Sequence, residues 1–132
     1  MAIEYAREAA PSPVEVAGLF RRSGIRRPVD DLDRIGRMIA NANLIVCARS
    51  AGRLIGIARA LTDFSYCCYL SDLAVDREFQ RRGIGRELIR RVREAAGPEC
   101  TLLLLAAPEA REYYPRVGFE PIPNGWTRHR EH

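Results

Sequence analysis

Apolar residues recur along the chain with two different spacings, and each spacing predicts one kind of element. A spacing of three and four residues is typical of amphipathic helices, and it occurs in residues 13–23, 31–40 and 83–96. Helix boundary signals flank these segments. The first segment, for example, begins at a Ser12-Pro13 start and ends at a Ser23-Gly24 stop.

Shorter apolar runs predict strands. They lie at residues 3–7, 44–48, 53–61, 66–75 and 101–106, followed by a last hairpin at 119–122 and 126–130. The run 101–106 is almost all leucine, which predicts a strand buried on both faces. A short helix is predicted at residues 109–117. This order of elements predicts an α/β protein, and with no dividing linker we expect residues 1–132 to form a single domain.

The stretch from residue 70 to residue 93 joins a strand, a short polar turn and a long amphipathic helix. Gly83 and Gly85 stand where the turn enters the helix. Backbone N–H groups at a helix start have no partner within the helix, and the helix dipole adds positive potential there, so the turn is predicted to hold phosphate. Two other kinds of phosphate site fit less well. Leu88 stands where a dinucleotide turn has its third glycine, and a P-loop needs a lysine that this sequence lacks.

Residues 80–85 resemble the acetyl-CoA site of the GNAT superfamily of N-acetyltransferases. The family pattern is Gln or Arg, two variable residues, Gly, a variable residue, then Gly or Ala, and here it follows an apolar strand end. Residues 110–119 resemble the closing helix and turn of the same family, with Tyr113 and Tyr114 as the aromatic pair. The order of elements is similar to that of the family over nearly the whole chain.

The resemblance implies the GNAT acyl-CoA N-acyltransferase fold, a mixed and mostly antiparallel sheet that is splayed at the cofactor site and flanked by helices. It implies an enzyme that transfers an acetyl group from acetyl-CoA to a primary amine by direct attack. The gap for the cofactor is expected between strands 66–75 and 101–106. The implied cofactor-binding residues are Leu73, Ala74, Val75, Gln80, Arg81, Arg82, Gly83, Ile84, Gly85 and Arg86.

Tyr114 matches the general acid of the family, a phenol that stands near the cofactor sulfur. Tyr113 is the rival candidate, since adjacent helical residues point about 100° apart and only one can face the sulfur. Pro115 follows directly and disfavours helical geometry at the residue before it. Motif position favours Tyr114 as the catalytic residue.

An acid within an otherwise apolar strand, Asp72, is the candidate general base, because burial would raise the pKa of its carboxyl group. An ion pair with an arginine, or a cap on a turn, is an equally supported alternative. Asp63 and Glu109 are reserve candidates for the base. An acid at this place would also attract a cationic amine.

Composition narrows the function classes. With 47% hydrophobic and 29% charged residues the chain has the composition of an ordinary soluble domain. It has no apolar run of about 18 residues, so we expect no membrane span and a cytoplasmic location. Every basic residue is arginine, and the lack of lysine excludes Schiff-base chemistry and lysine-dependent kinase sites.

The net charge of +4 raises the question of nucleic-acid binding. The arginines are dispersed among acids, with no basic run interleaved with aromatic residues, so we expect no nucleic-acid partner. The alternative of an arginine-driven nucleic-acid domain would show a steep salt dependence. No metal is expected, because the four cysteines have no C-x-x-C spacing; they are Cys47, Cys67, Cys68 and Cys100.

Two further alternatives stay open on the sequence. One is a GNAT-like module that senses acyl-CoA without turnover, and the other is assembly into a homodimer. The sequence leaves the acceptor open among a polyamine-like amine, an arylalkylamine, a lysine and a protein N-terminus. Residues 21–37 and 62–64 are expected to shape the acceptor pocket, since loops carry specificity.

Overall fold

The computed structural model describes residues 2–132, and its centre is a five-stranded sheet in the order β1-β2-β3-β4-β5. The first four strands pair antiparallel and β4 pairs with β5 in parallel. The sheet is therefore mixed and mostly antiparallel, as the resemblance implied. The strands are β1 (Glu4–Arg7), β2 (Leu44–Ser50), β3 (Arg53–Thr62), β4 (Cys67–Val75) and β5 (Thr101–Leu103).

Helices cover both faces of the sheet. On one face α1 and α2 pack against one apolar cluster, and on the other face α3 packs against a second cluster. No helix within residues 2–132 has the length and apolar character needed to cross a membrane. The helices are α1 (Pro13–Ser23), α2 (Leu32–Ala40), α3 (Ile84–Ala96) and α4 (Tyr113–Arg116), with 3-10 turns at Arg77–Phe79 and Pro108–Ala110.

The predicted boundaries of the first two helices are confirmed. The Ser12 N–H donates to the Glu15 carboxylate over 3.0 Å at the start of α1. The Asp31 carboxylate accepts the N–H of Arg34 over 3.0 Å at the start of α2. These local bonds satisfy backbone groups that a helix start leaves without partners, which explains why the sequence signals were sufficient.

A β-bulge at Ser71 changes the direction of β4. Arg59 of β3 lies opposite Asp72 while Ala60 lies opposite Leu70, so Ser71 has no opposite residue. Leu70 packs in the cluster under α3, whereas Ala74 packs in the cluster under α1 and α2. The bulge thus reverses which side chains face each layer, and Asp72 turns toward the α1–α2 side.

The strand predicted at residues 101–106 is shorter and more exposed than expected. Only Thr101–Leu103 is paired, and the prediction of burial on both faces is wrong, because Leu105 is 70% exposed. Within residues 2–132 no strand pairs with the outer edge of β5. The leucine run therefore has a neighbour on one edge only.

The predicted hairpin at residues 119–122 and 126–130 is also wrong, since this part of the chain has no strand. Pro121 and Pro123 supply no N–H donor to a ladder, which disfavours strand pairing there. Trp126 is almost fully exposed. The predicted helix at 109–117 is a 3-10 turn followed by α4, and Tyr114 keeps helical geometry although Pro115 follows it.

Candidate functional site

A cleft opens where β4 and β5 separate. The two strands pair only between Cys67–Tyr69 and Thr101–Leu103. Beyond this point residues 70–71, 73–75 and 104–107 line a cavity of about 590 Å³, together with the loop after α1 and Tyr114. A concave space of this size suits a small-molecule ligand.

The turn before α3 exposes backbone N–H groups. The first backbone hydrogen bond of the helix runs from the Glu87 N–H to the Gly83 carbonyl over 3.0 Å, so the N–H groups before Glu87 have no helical acceptor. Arg81 and Gly83 have left-handed φ angles of 65° and 80°. Such turns form concave anion sites from successive N–H groups. Phosphate binding at this turn stays a prediction, and the turn has a geometry suited to an anion.

The ten predicted cofactor residues lie together, but they do not all line the cavity. Four of them do: Leu73, Ala74, Val75 and Gln80. The Gln80 side chain donates to the Val75 carbonyl over 2.9 Å and so ties the turn to the end of β4. The other six follow at the start of α3, where Ile84 is buried in the core and can offer only its backbone to a ligand.

Three exposed arginines lie in this turn and at the start of α3: Arg81, Arg82 and Arg86. The Arg82 guanidinium stacks 5.2 Å from the centre of the Phe79 ring, a cation–π contact. The Arg86 guanidinium donates to the Arg116 carbonyl over 3.2 Å, which links α3 to α4. Positive charge thus surrounds the turn, and phosphate is the anion that guanidinium groups bind well.

Tyr113 and Tyr114 face different surroundings. A Cβ placed on Gly85 would lie 2.7 Å from the Tyr113 hydroxyl oxygen, so Gly85 leaves room for that phenol against α3. Tyr114 instead lines the cavity and packs edge to face on Phe119, with 5.7 Å between ring centres. Burial raises the pKa of Tyr114, as does Tyr113, and Arg27 lowers it in part. A raised pKa keeps the phenol protonated at neutral pH.

Asp72 is fully buried and both of its oxygens accept guanidinium hydrogens. Oδ1 accepts from Nε of Arg27 and Oδ2 from Nε of Arg59, each over 2.5 Å. The same arginines bond to Ser71 at the bulge, Arg27 to its carbonyl over 2.8 Å and Arg59 to its hydroxyl over 3.0 Å. These contacts support the ion-pair alternative, because an arginine occupies each oxygen and the buried carboxylate does not line the cavity.

Asp63 and Glu109, the reserve candidates for the base, lie in different places relative to the cavity. The Asp63 carboxylate accepts the N–H groups of Ser65, Cys67 and Tyr66, which lower the pKa of Asp63 to about 2, and it closes the β3–β4 turn away from the cavity. Glu109 is exposed and lines the cavity. Of the acids considered from the sequence, Glu109 is therefore the one in contact with the cleft.

Arg27 lies within residues 21–37, which the sequence predicted to shape the acceptor pocket, but no pattern in the sequence singled it out. It lies in the loop between α1 and α2, directly ahead of Pro28. Its partner Asp72 is 45 positions away in the chain. A contact of this separation has no local pattern, so nothing in the sequence near Arg27 pointed to it.

A family model described as "Acetyltransferase (GNAT) domain" matches residues 17–130. The chain therefore belongs to the GNAT family of acetyltransferases, and the fold and the splayed cleft are those expected of that family. The resemblance seen in the two sequence signatures is confirmed.

Curated relatives carry related names. An uncharacterized N-acetyltransferase of Porphyra purpurea is 32% identical over 80 residues, covering 58% of this chain and 45% of that protein. The chloroplastic GCN5-related N-acetyltransferase 2 of Arabidopsis thaliana is 32% identical over 75 residues, covering 55% of this chain and 29% of that protein. The match to this chain thus spans less than half of the length of either relative.

Solved structures share the fold. A probable acetyltransferase of meticillin-resistant Staphylococcus aureus has a TM-score of 0.85 at 18% identity, covering 99% of this chain and 100% of that one. The aminoglycoside N-acetyltransferase AAC(6')-Iy, solved in complex with CoA, has a TM-score of 0.73 at 18% identity, covering 99% and 96%. At this identity the likeness is one of fold.

Proposed function

We propose that this chain transfers the acetyl group of acetyl-CoA to a primary amine by direct attack. The observation that carries the proposal is the separation of β4 from β5 beside an anion-binding turn, with the Tyr114 phenol lining the resulting cavity. The residues present fit the cosubstrate, because an extended arm can lie along the unpaired part of β4 while phosphates meet the turn. Acetyl-CoA would supply the activated thioester.

The cofactor contacts are assigned mainly to the backbone. N–H groups of residues 81–86 would hold the pyrophosphate, assisted by the guanidinium groups around the turn. Backbone groups of Leu73, Ala74 and Val75 on the side that β5 leaves free would pair with the pantetheine arm. Because β3 occupies the opposite edge of β4, the arm can add only on the side of the cleft.

In the reaction the amine nitrogen attacks the thioester carbonyl carbon, a C–N bond forms, and the C–S bond breaks. The sulfur leaves with the electron pair of that bond and takes a proton from the Tyr114 hydroxyl. The amine loses one proton, so a base is also needed. We assign this step to Glu109, directly or through water, because both oxygens of Asp72 already accept from arginine.

The experiment is a thiol-release assay with acetyl-CoA and a panel of primary amines. The expected result is release of free CoA that depends on both protein and amine, with the acetylated amine found by mass spectrometry in equal amount. Acetyl-CoA binding without any amine-dependent release would contradict the proposal.

A second candidate is a module that binds acyl-CoA without turnover. The observation that favours it is the capture of Asp72 by two arginines, which removes the acid first assigned as base. It predicts tight CoA binding and no thiol release with any amine. The same assay therefore separates the two candidates.

The location and assembly of the chain stay predictions. The chloroplast location in the name of the Arabidopsis relative is a property of that protein. For this chain we keep the proposal of a cytoplasmic location, and we propose neither a nucleic acid nor a membrane as partner. Assembly into a homodimer is a prediction that light scattering on the purified protein can test.

A further inference from the structure

The cluster around Asp72 contains more positive than negative charge. Arg27 and Arg59 share this one carboxylate, and their other hydrogen bonds go to neutral oxygens. Asp72 is fully buried and the Arg59 side chain is 9% exposed. Because Asp72 and Arg59 balance each other, the excess positive charge lies on the partly buried Arg27, and a partly buried charge without a carboxylate of its own favours an anion nearby.

The excess charge faces the cavity through Arg27. Its side chain is 27% exposed and lines the cavity, whereas Arg59 does not. A guanidinium group has five N–H donors, and Arg27 uses three of them, on Asp72, the Ser71 carbonyl and the Arg26 carbonyl. Two donors are left for a ligand. Arg27 and Tyr114 line the same cavity, and the charge of Arg27 lowers the pKa of Tyr114 in part.

Arg26 adds a second positive charge to the same wall. It is exposed and lines the cavity. Among residues 2–132 its guanidinium takes part in no ion pair or hydrogen bond. The acid that lines the cavity is Glu109. The buried pair of Arg59 and Asp72 lies behind this wall. With that pair included, three arginines, Arg26, Arg27 and Arg59, are present for two carboxylates, those of Asp72 and Glu109.

We infer that the acceptor is an amine that also carries a carboxylate, which Arg26 and Arg27 bind while the amine reaches the thioester. The inference rests on the proposed acetyl transfer and names its substrate class. Guanidinium groups bind carboxylates through paired N–H donors, which fixes orientation as well as charge. A polycationic acceptor would instead need a wall rich in free carboxylates, and Asp72 cannot serve because it is neutralised.

The test uses matched amines that differ by one charge. Glycine, glycylglycine and triglycine are compared with their C-terminal amides, so that the distance between amine and carboxylate varies, and spermidine is the cationic member. For at least one pair we expect kcat/KM for the acid to exceed that for the amide by about 10-fold or more, the usual effect of a charged hydrogen bond. Calorimetry with CoA present measures the same preference in binding.

The variant Arg26→Gln keeps a polar side chain, shorter than that of arginine, and removes one charge without breaking a hydrogen bond or ion pair within residues 2–132. It should reduce the acid-to-amide ratio by roughly fivefold, the upper range for an exposed pair. Arg27→Gln should reduce it further and leaves Asp72 paired with Arg59. Arg128→Gln is the control, because Arg128 is an exposed arginine near the C-terminal end of the sequence that does not line the cavity, and its loss should leave the ratio unchanged.

Three outcomes would overturn the inference. One is equal or faster turnover and binding of the amides or of spermidine. Another is the absence of both binding and turnover for every acid in a protein that acetylates other amines. The third is loss of CoA affinity in Arg26→Gln with an unchanged acid-to-amide ratio, which would show that the charge serves the cofactor phosphates. Failure of acetyl-CoA to bind at all would instead contradict the proposed function itself.

Discussion

Tyr113 and Tyr114 are neighbours in the chain, yet α4 directs them to different surroundings. Tyr113 packs its hydroxyl against Gly85, and Tyr114 lines the cleft. Adjacent positions on a helix differ by about 100°, so this division follows from helix geometry once the position of α4 is set. The choice of the acid thus depends on where a four-residue helix sits.

The variant Tyr114→Phe keeps the ring and removes the hydroxyl. Turnover should fall by about 100-fold or more, the usual scale of general acid catalysis, in kcat and kcat/KM together. Acetyl-CoA affinity, measured by calorimetry, should stay close to that of the wild type. Tyr113→Phe is the control and should be mild; a larger loss in Tyr113→Phe than in Tyr114→Phe would move the acid to Tyr113.

Gly83 offers a test of the phosphate turn with a close internal control. Gly83 and Gly52 have φ angles of 80° and 82°, and a Cβ placed on either would meet no protein atom within 4 Å. Gly83→Ala and Gly52→Ala should therefore each cost about 1 kcal/mol of unfolding free energy, from backbone strain alone.

Only Gly83→Ala should also weaken CoA binding, because only Gly83 belongs to the turn before α3. The measurement is calorimetric titration of both variants with CoA, beside urea unfolding. Equal CoA affinity in the two variants would place the phosphates elsewhere. Since no protein atom lies within 4 Å of a Cβ placed on Gly83, any added loss of CoA affinity in Gly83→Ala would come from a collision with the ligand.

At the scale of elements, the bulge in β4 joins three parts of the fold. Ser71 is the inserted residue, and Asp72 beside it receives Arg27 from the α1–α2 loop and Arg59 from β3. The bulge thereby holds the cavity wall against the sheet. We therefore expect Asp72 to serve the structure of this wall, because each of its oxygens accepts from an arginine.

The variant Asp72→Asn distinguishes this role from catalysis. It leaves two arginines without their carboxylate and should cost about 3–5 kcal/mol of unfolding free energy, the scale for a broken buried pair. Asp30→Asn, which breaks the exposed pair of Arg21 and Asp30, should change stability little. Urea unfolding measures both. A stable but inactive Asp72→Asn protein would restore Asp72 as the base.

The β3–β4 turn should show a pH dependence of its own. Backbone N–H donors lower the pKa of Asp63 from 3.8 to about 2 in the folded state. A lowered folded pKa contributes stability above pH 3.8 that is lost as the pH falls toward 2. The stability advantage of the wild type over Asp63→Asn, from urea unfolding, should therefore be constant near neutral pH and shrink across that interval. A constant difference down to pH 2 would contradict it.

At the scale of the whole molecule, acetyl-CoA would connect parts of the fold that touch little on their own. The cleft separates β4 from residues 104–107, and the turn before α3 closes one end. A ligand at about 100 times its dissociation constant adds roughly 2.7 kcal/mol to the unfolding free energy, which is a rise in Tm on the order of 10 °C.

A thermal-shift titration with acetyl-CoA, CoA and NAD measures this effect. Acetyl-CoA and CoA should raise Tm to similar extents, and NAD should not, because the turn lacks the third glycine of a dinucleotide site. A folded protein with no shift in Tm at millimolar acetyl-CoA would contradict the proposal that this chain binds acetyl-CoA.

Much of the fold followed from local pattern. The first two helices, the central strands and the turn before α3 were predicted from apolar spacing, capping residues and glycines, because the forces that form them act over a few residues. The family was predicted from two short signatures for a related reason, since a phosphate turn needs glycine and a polar entry at fixed spacing.

Only the tertiary structure decided the rest. The role of Asp72 depends on arginines 45 and 13 positions away, and the sequence held no signal for either contact. The choice between the two tyrosines depends on how α4 packs, and the exposure of Leu105 depends on whether another strand reaches β5. Each of these is a contact between distant segments, and periodicity along the chain records which face a residue lies on but not which partner it meets there.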